Sequence, residues 1–170
     1  MDTLMVILRI IHIFAGVFWV GSTFMLLRFI EPTVAATGDS GRQFMSYLSM
    51  KTRFSPVMAL AGILSVLSGL IMYYRIFDIG ADALSSGYGL SMTIGALAGI
   101  IALILGFVFQ GRSGAKMKAV NADIEAGGGP PSPEQMAVMK EGAERIMLGT
   151  RIGAVLMTIS LLGMSVAQYV

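Results

Sequence analysis

The sequence predicts an all-α fold, a four-helix transmembrane bundle in antiparallel up-down order. Hydrophobic residues make up 55% of its 170 residues and charged residues only 13%, about half the charged share of soluble domains. The mean hydropathy is +0.77. Apolar stretches long enough to cross a bilayer lie at residues 4–30, 56–77, 90–111 and 146–169. We therefore expect a single integral membrane domain covering residues 1–170.

The first predicted span carries a polar face. Residues on that face recur every three or four positions, namely Arg9, His12, Gly16, Trp19 and Thr23, and therefore lie on one side of a helix. His12 is the only histidine of the chain. Ionisable side chains are costly inside a membrane and mark functional sites there, so we expect this face to point into the bundle.

The other three spans carry small residues at helical spacing. Such stripes allow helix backbones to approach closely in lipid. The stripes consist of Gly62, Ser65 and Gly69 in the second span, Gly95, Gly99, Ala102 and Gly106 in the third, and Gly149, Gly153, Ser160 and Gly163 in the fourth.

The depth of His12 in the first span leaves two interpretations open. His12 lies about 12 Å below the outer end of its helix, and the same depth on the other helices falls at Gly69, Gly99 and Gly163. The glycines can serve tight packing alone, with His12 hydrogen-bonded to a carbonyl or hydroxyl across the bundle. Alternatively, they leave room for a flat cofactor.

Haem b is the cofactor that this second interpretation predicts, because haem needs an axial ligand such as histidine. His12 is then the iron ligand, Met72, Met92 or Met164 can supply a second, and Arg9 and Arg75 can pair with the propionates. A lone histidine excludes a bis-histidine site within one chain. The predicted cofactor site comprises His12, Arg9, Gly16, Trp19, Gly69, Gly99 and Met164.

Copper is the alternative metal, because the chain contains 14 methionines and thioethers suit Cu(I). These methionines are scattered and form no close cluster in the sequence, and methionine is also a common filler of apolar cores.

The distribution of basic residues predicts the topology. Arg42, Lys51 and Arg53 follow the first span, and further basic residues lie between the third and fourth spans. The positive-inside rule then places these two loops in the cytoplasm and both termini outside. Arg28 and Glu31 lie where Pro32 closes the first helix. They can pair at i, i+3, or Arg28 can extend its charged end to the membrane interface. A short interfacial helix is expected at 41–54.

The loop before the last span contains a helix start. Ser132, Pro133 and Gln135 match an N-cap, a first-turn proline and a capping box. The fourth helix should therefore begin well before the membrane. With the third helix continuing toward Asp123, the two should form a cytoplasmic helical hairpin.

No catalytic signature is present in the sequence. The only histidine has no nearby carboxylate, and the glycines at 127–129 are not followed by the lysine of a phosphate-binding loop. No Asp or Glu lies deep in a predicted span, unlike the carboxylate relays of many pumps. We therefore expect a protein that is not an enzyme.

The first helix resembles that of a group of small bacterial membrane proteins, which includes copper-resistance protein D-like proteins and HemJ-type protoporphyrinogen oxidases. The pattern is His12-x6-Trp19-x-Gly21-x6-Arg28. Similar segments are Lys51–Ser55, Ser68–Leu70, the Pro-Pro-Ser-Pro-Glu loop and Met164–Tyr169. The resemblance implies a haem-binding role for His12 and a bacterial cytoplasmic membrane. The lysine and further histidines on which the HemJ-type enzyme relies have no counterpart in these spans, which argues against that reaction.

Three functions follow as hypotheses. The first is a haem-binding membrane subunit of a redox, respiratory or photosynthetic complex. The second is a cofactor-free structural or accessory subunit, and the third is a copper transport or tolerance protein. The expected partners are the lipid bilayer and either a membrane-protein complex or a second copy of the chain, with no nucleic acid.

Overall fold

Four long helices dominate the computed structural model, which describes residues 2–77 and 82–170. All regular structure in these residues is helical. The long helices are α1 (Thr3–Met25), α4 (Phe54–Phe77), α6 (Gly87–Gly127) and α7 (Pro133–Val166); the short ones are α2 (Glu31–Thr37), α3 (Asp39–Ser46) and α5 (Asp82–Ser85). Each long helix falls within a segment long and apolar enough to cross a membrane, so the all-α class and the four candidate spans are confirmed.

The first helical segment does not end at Pro32, which corrects the sequence prediction. A π-helical turn, Leu26–Ile30, joins α1 to α2, and the continuous segment runs to Thr37. Pro32 falls in the first turn of α2, where the missing N–H is tolerated. The segment ends at Gly38, whose φ of 59° is not helical. Glycine adopts this backbone conformation more readily than residues with a Cβ.

Of the two interpretations of Arg28, the pair with Glu31 does not form among the described residues. Glu31 instead forms an ion pair with Arg151 of α7. The π-helical turn at Leu26–Ile30 widens the helix locally, and residues three apart no longer face each other as they do in a regular α-helix. The cross-helix pair ties the end of the first segment to α7.

The predicted starting point of the fourth helix is confirmed. Ser132 accepts a hydrogen bond from the Gln135 N–H while the Gln135 side chain accepts one from the Ser132 N–H. These reciprocal bonds form the capping box, and Pro133 occupies the first turn. Before this break, α6 continues to Gly127, and Gly128 at φ 63° follows it. Both helices therefore extend beyond their apolar stretches.

The long helices pack mainly as two pairs, α1 with α4 and α6 with α7. At one end of the α6–α7 pair, Gly87 of α6 lies against Val170, which follows α7. Toward the other end, Gly142 of α7 lies against Met117 of α6. The two backbones approach each other closely at Gly163 of α7 and Ser91 of α6. This approach requires glycine, because a Cβ on Gly163 would come within 2.9 Å of the Ser91 backbone oxygen. The first segment is the most peripheral, with only 6% of its most apolar window buried, against 22% for each of the other three.

The connection between α2 and α4 is largely helical, in agreement with the helix expected at 41–54. It consists of α3 and a second π-helical turn, Tyr47–Lys51. Phe44 and Tyr47 are exposed, and the segment leads into α4 at Phe54.

Candidate functional site

A cavity of about 330 Å³ lies between the two helix pairs. All four long helices contribute to its wall, and we call it the His12 cavity. It is lined by all seven residues of the predicted cofactor site, Arg9, His12, Gly16, Trp19, Gly69, Gly99 and Met164. Its volume is at the lower end of the range for small-molecule sites, and its lining is mostly apolar with a few polar groups, as such sites are.

His12 is held in a single orientation by α4. Its Nδ1 lies 2.7 Å from the backbone oxygen of Ser65. A carbonyl oxygen can only accept, so Nδ1 carries the proton and donates it. In the neutral imidazole, Nε2 then keeps a lone pair. The side chain is therefore arranged as in metal-ligating histidines, in which the non-ligating nitrogen donates to a carbonyl or carboxylate.

The wall at Gly69 is filled by the imidazole itself. A Cβ on Gly69 would lie 2.8 Å from Cε1 and 3.0 Å from Nδ1 of His12. Gly99 similarly faces the Ser160 hydroxyl, because a Cβ added to Gly99 would lie 3.2 Å from the Ser160 Oγ. Side chains therefore lie directly beside both glycines, the His12 imidazole at Gly69 and the Ser160 hydroxyl at Gly99.

The hydrogen bond to Ser65 is also the contact expected if His12 served packing alone. The Ser65 carbonyl additionally accepts from the Ser68 hydroxyl at 3.1 Å. What distinguishes the site from simple packing is the second nitrogen. No described residue bonds Nε2, and His12 lines open volume.

Several further polar groups on this cavity have no described protein partner. Every fully buried side-chain polar atom in the described part of the chain is hydrogen-bonded. Polar atoms without a described partner are therefore accessible from open space. These groups are the Arg9 guanidinium, the Trp19 indole N–H and the hydroxyls of Ser65, Tyr88 and Ser160. The cavity thus offers hydrogen-bond donors within an apolar lining.

Methionines from two helix pairs meet at the same cavity. They are Met72 of α4, Met92 of α6, and Met157 and Met164 of α7. The methionines that are scattered in the sequence are therefore gathered by the fold, and the sequence prediction did not include Met157. Among the described residues, no group of three or more His, Cys, Asp or Glu side chains converges on a metal-binding point. Any metal here would depend on His12 and thioethers.

Arg75 does not contribute to the cavity wall, in contrast to the prediction that it joins Arg9 there. It forms a 3.0 Å ion pair with Asp2. This pair neutralises Arg75 and links the beginning of the first segment to the end of α4. Arg9 remains as the cation on the cavity.

A second cavity of about 330 Å³ lies toward the opposite ends of the same helices. We call it the Gln110 cavity. Trp19 and Met157 line both cavities, and they therefore form the partition between them. The Trp19 ring packs on Gly62, whose Cβ would lie 3.1 Å from Cε2. The sequence prediction assigned Trp19 to one site and missed the second cavity.

The sequence prediction listed Ser65 and Ser160 only as small packing residues. Their spacing from Gly69 and Gly163 did mark them as facing the bundle. The sequence contained no signal that the Ser65 backbone oxygen bonds His12, since backbone groups have no residue-specific signature.

An exposed ion pair lies beyond the apolar part of α6. Lys51 contacts Glu125 at 2.8 Å. The hydrogen bond from Lys51, followed by the one from Asn121, holds the pKa of Glu125 below its ordinary value. The pair connects the π-helical turn Tyr47–Lys51 to the extension of α6.

No family model, curated protein or solved structure matches this chain.

Proposed function

We propose that the chain is a haem-binding subunit of a bacterial cytoplasmic membrane, with His12 as the axial ligand. The observation that carries the proposal is the 2.7 Å bond from His12 Nδ1 to the Ser65 carbonyl oxygen. It leaves Nε2, the ring nitrogen available for ligation, without a described protein partner on a mostly apolar cavity.

The chemistry of the donors around His12 suits such a group. Gly69 and Ser65 orient the imidazole, and Arg9 supplies a cation without a partner among the described residues, which would hold a propionate. Met92 and Met164 line the opposite wall and would offer a thioether as a second ligand. Bound haem would supply one-electron redox chemistry. The protein itself would orient the ligand, exclude water and neutralise charge, which suits a non-enzymatic subunit of a redox complex.

The proposed topology follows the charges. In an antiparallel bundle with both termini outside, the His12 cavity lies in the outer half of the membrane and the Gln110 cavity in the inner half. The extended ends of α6 and α7 then form a cytoplasmic hairpin. Lys116, Lys118, Lys140 and Arg145 on these extensions support this orientation.

The test is the absorption spectrum of detergent-purified protein, oxidised and then reduced with dithionite, after expression with haem supplied. We expect a Soret band that is lost in His12→Ala. His12→Gly with added imidazole should regain the band, which separates ligand loss from misfolding. Met136→Leu, a change at an exposed methionine outside both cavities, serves as the control. A colourless wild-type protein would overturn the haem proposal.

Copper is the second candidate, because four methionines and His12 line one cavity and both ligand types suit Cu(I). It predicts that metal analysis after loading with Cu(I) finds bound copper. This copper should be lost in Met92→Leu/Met164→Leu and kept in Met136→Leu. A cofactor-free accessory subunit would bind neither group, and co-purification of a partner would then be its positive signature.

A further inference from the structure

The Gln110 cavity differs from the packed parts of the bundle in what its glycines face. A Cβ added to Gly106, Gly111 or Gly153 would meet no atom within 4 Å, although Gly153 is buried. By contrast, a Cβ on Gly149, one turn away, would lie 2.5 Å from Phe109. Of the glycines that line the cavity, Gly106, Gly111 and Gly153 therefore border open volume, whereas Gly149 packs closely on Phe109.

The lining of this cavity suits a hydrocarbon chain. Apolar side chains form most of it, including Leu26, Phe54, Met58, Leu103 and Phe107. The hydroxyls of Thr23 and Thr150 are already bonded to backbone carbonyls of their own helices. They therefore add little polarity to the lining. Among the described residues of the lining, only the exposed Gln110 amide and the Trp19 indole N–H lack a described partner.

Two arginines flank the cavity at its end away from Trp19. Phe54, Ser55 and Gly111 line the cavity. Arg53 immediately precedes the first two in sequence, and Arg112 immediately follows Gly111. Both arginines are exposed. Neither pairs with any described carboxylate, whereas Arg42, Arg75 and Arg151 each do. An apolar slot with unpaired cations at its edge is complementary to a molecule with an acyl chain and an anionic head.

We propose that the Gln110 cavity binds an anionic phospholipid of the surrounding membrane. An acyl chain fills the volume beside Gly106 and Gly153, and the headgroup phosphate lies between Arg53 and Arg112. Basic pockets between transmembrane helices bind anionic headgroups in this way. The inference is independent of the proposed haem, because the two cavities share only Trp19 and Met157.

The test is native mass spectrometry of the full chain, titrated with phosphatidylglycerol or with phosphatidylcholine. We expect tighter binding of phosphatidylglycerol. Each arginine should contribute about 5-fold in affinity, so Arg53→Gln/Arg112→Gln should weaken binding about 25-fold. Arg145→Gln removes another exposed arginine, one whose neighbours in sequence do not line the cavity. It is the matched control and should bind as wild type.

A second variant tests the acyl-chain slot. Gly153→Leu should fill the cavity and lower binding of phosphatidylglycerol at least as much as the double arginine variant. Gly21→Leu adds the same bulk at an exposed glycine outside both cavities and should leave binding unchanged. If Gly153→Leu does not fold, Gly106→Leu replaces it. Equal affinity for both lipids, or equal protection from thermal unfolding by inorganic phosphate alone, would overturn the proposal.

Discussion

The imidazole of His12 lies against Gly69 so closely that an added Cβ would come within 2.8 Å of Cε1. The same ring donates to the Ser65 backbone oxygen at 2.7 Å. Ser65 and Gly69 are four residues apart and therefore share one face of α4. The same face of α4 therefore packs against the His12 ring and determines its tautomer.

Gly69→Ala should displace this ring. The methyl group cannot fit without moving His12 away from its hydrogen bond, and such overpacking costs about 1–3 kcal/mol. Thermal unfolding in detergent micelles measures the loss. Gly21→Ala is the control, since it gains the same helix propensity at a position with nothing within 4 Å. Equal melting temperatures for the two variants would show that His12 does not depend on Gly69.

Gly163→Ala should destabilise the pairing of α6 with α7. The new Cβ would lie 2.9 Å from the Ser91 backbone oxygen and 3.2 Å from Gly95 Cα. Backbone atoms cannot turn aside as a flexible side chain can, so the helices must separate. The hydrogen bond from the Ser91 hydroxyl to the Gly163 oxygen, at 2.8 Å, would lengthen. We expect a loss of about 1–3 kcal/mol of unfolding free energy.

Gly153→Ala is the matched change for this prediction, because it lies on the same helix and meets no neighbour within 4 Å. Denaturation in a mixed-micelle titration compares the two variants. If Gly163→Ala were as stable as Gly153→Ala, the close approach of Gly163 to Ser91 would not hold in the protein.

Ser132→Ala should fray the beginning of α7. It removes the side-chain acceptor for the Gln135 N–H, and loss of such a cap costs about 1 kcal/mol. Hydrogen exchange over residues 133–140 should accelerate, while exchange in the apolar part of α7 stays unchanged. Ser165→Ala removes a hydroxyl without a described partner from the exposed far end of the same helix. It should leave this segment protected, and equal protection in both variants would contradict the prediction.

The Lys51–Glu125 pair should make stability depend on pH. The pKa of Glu125 is lowered in the folded protein, chiefly by the hydrogen bond from Lys51. Its contribution is therefore present above the ordinary carboxyl pKa and is lost as the pH falls through the lowered value. Wild type should lose a small increment of melting temperature between neutral and acid pH that Glu125→Gln lacks. The increment should shrink in high salt, because the pair is exposed.

Glu141→Gln is the comparison for this effect, since Glu141 has no described cation partner. It should retain the acid-dependent increment of the wild type. Identical pH profiles for Glu125→Gln and the wild type would show that the pair does not hold the two segments together.

Local patterns predicted the features that depend on neighbours along the chain. The capping box at Ser132 and Gln135 and the four apolar segments are of this kind, because N-caps and hydrophobic length act within one helix. The helical periodicity of α1 likewise grouped Arg9, His12 and Trp19 on the face that lines the cavity. The expected end at Pro32 was wrong because a π-helical turn accommodates the proline, and no periodicity marks such a turn.

The sequence by itself determined that this chain forms four long apolar helices and that His12 and Arg9 share a face, because hydrophobicity and helical spacing are properties of consecutive residues. Only the tertiary structure decided what meets that face. It brought the Ser65 carbonyl to His12, paired Glu31 with Arg151 and gathered methionines of three helices on one cavity. These contacts depend on how helices distant in sequence are offset and rotated against each other. That arrangement follows from close packing between small residues and backbone atoms.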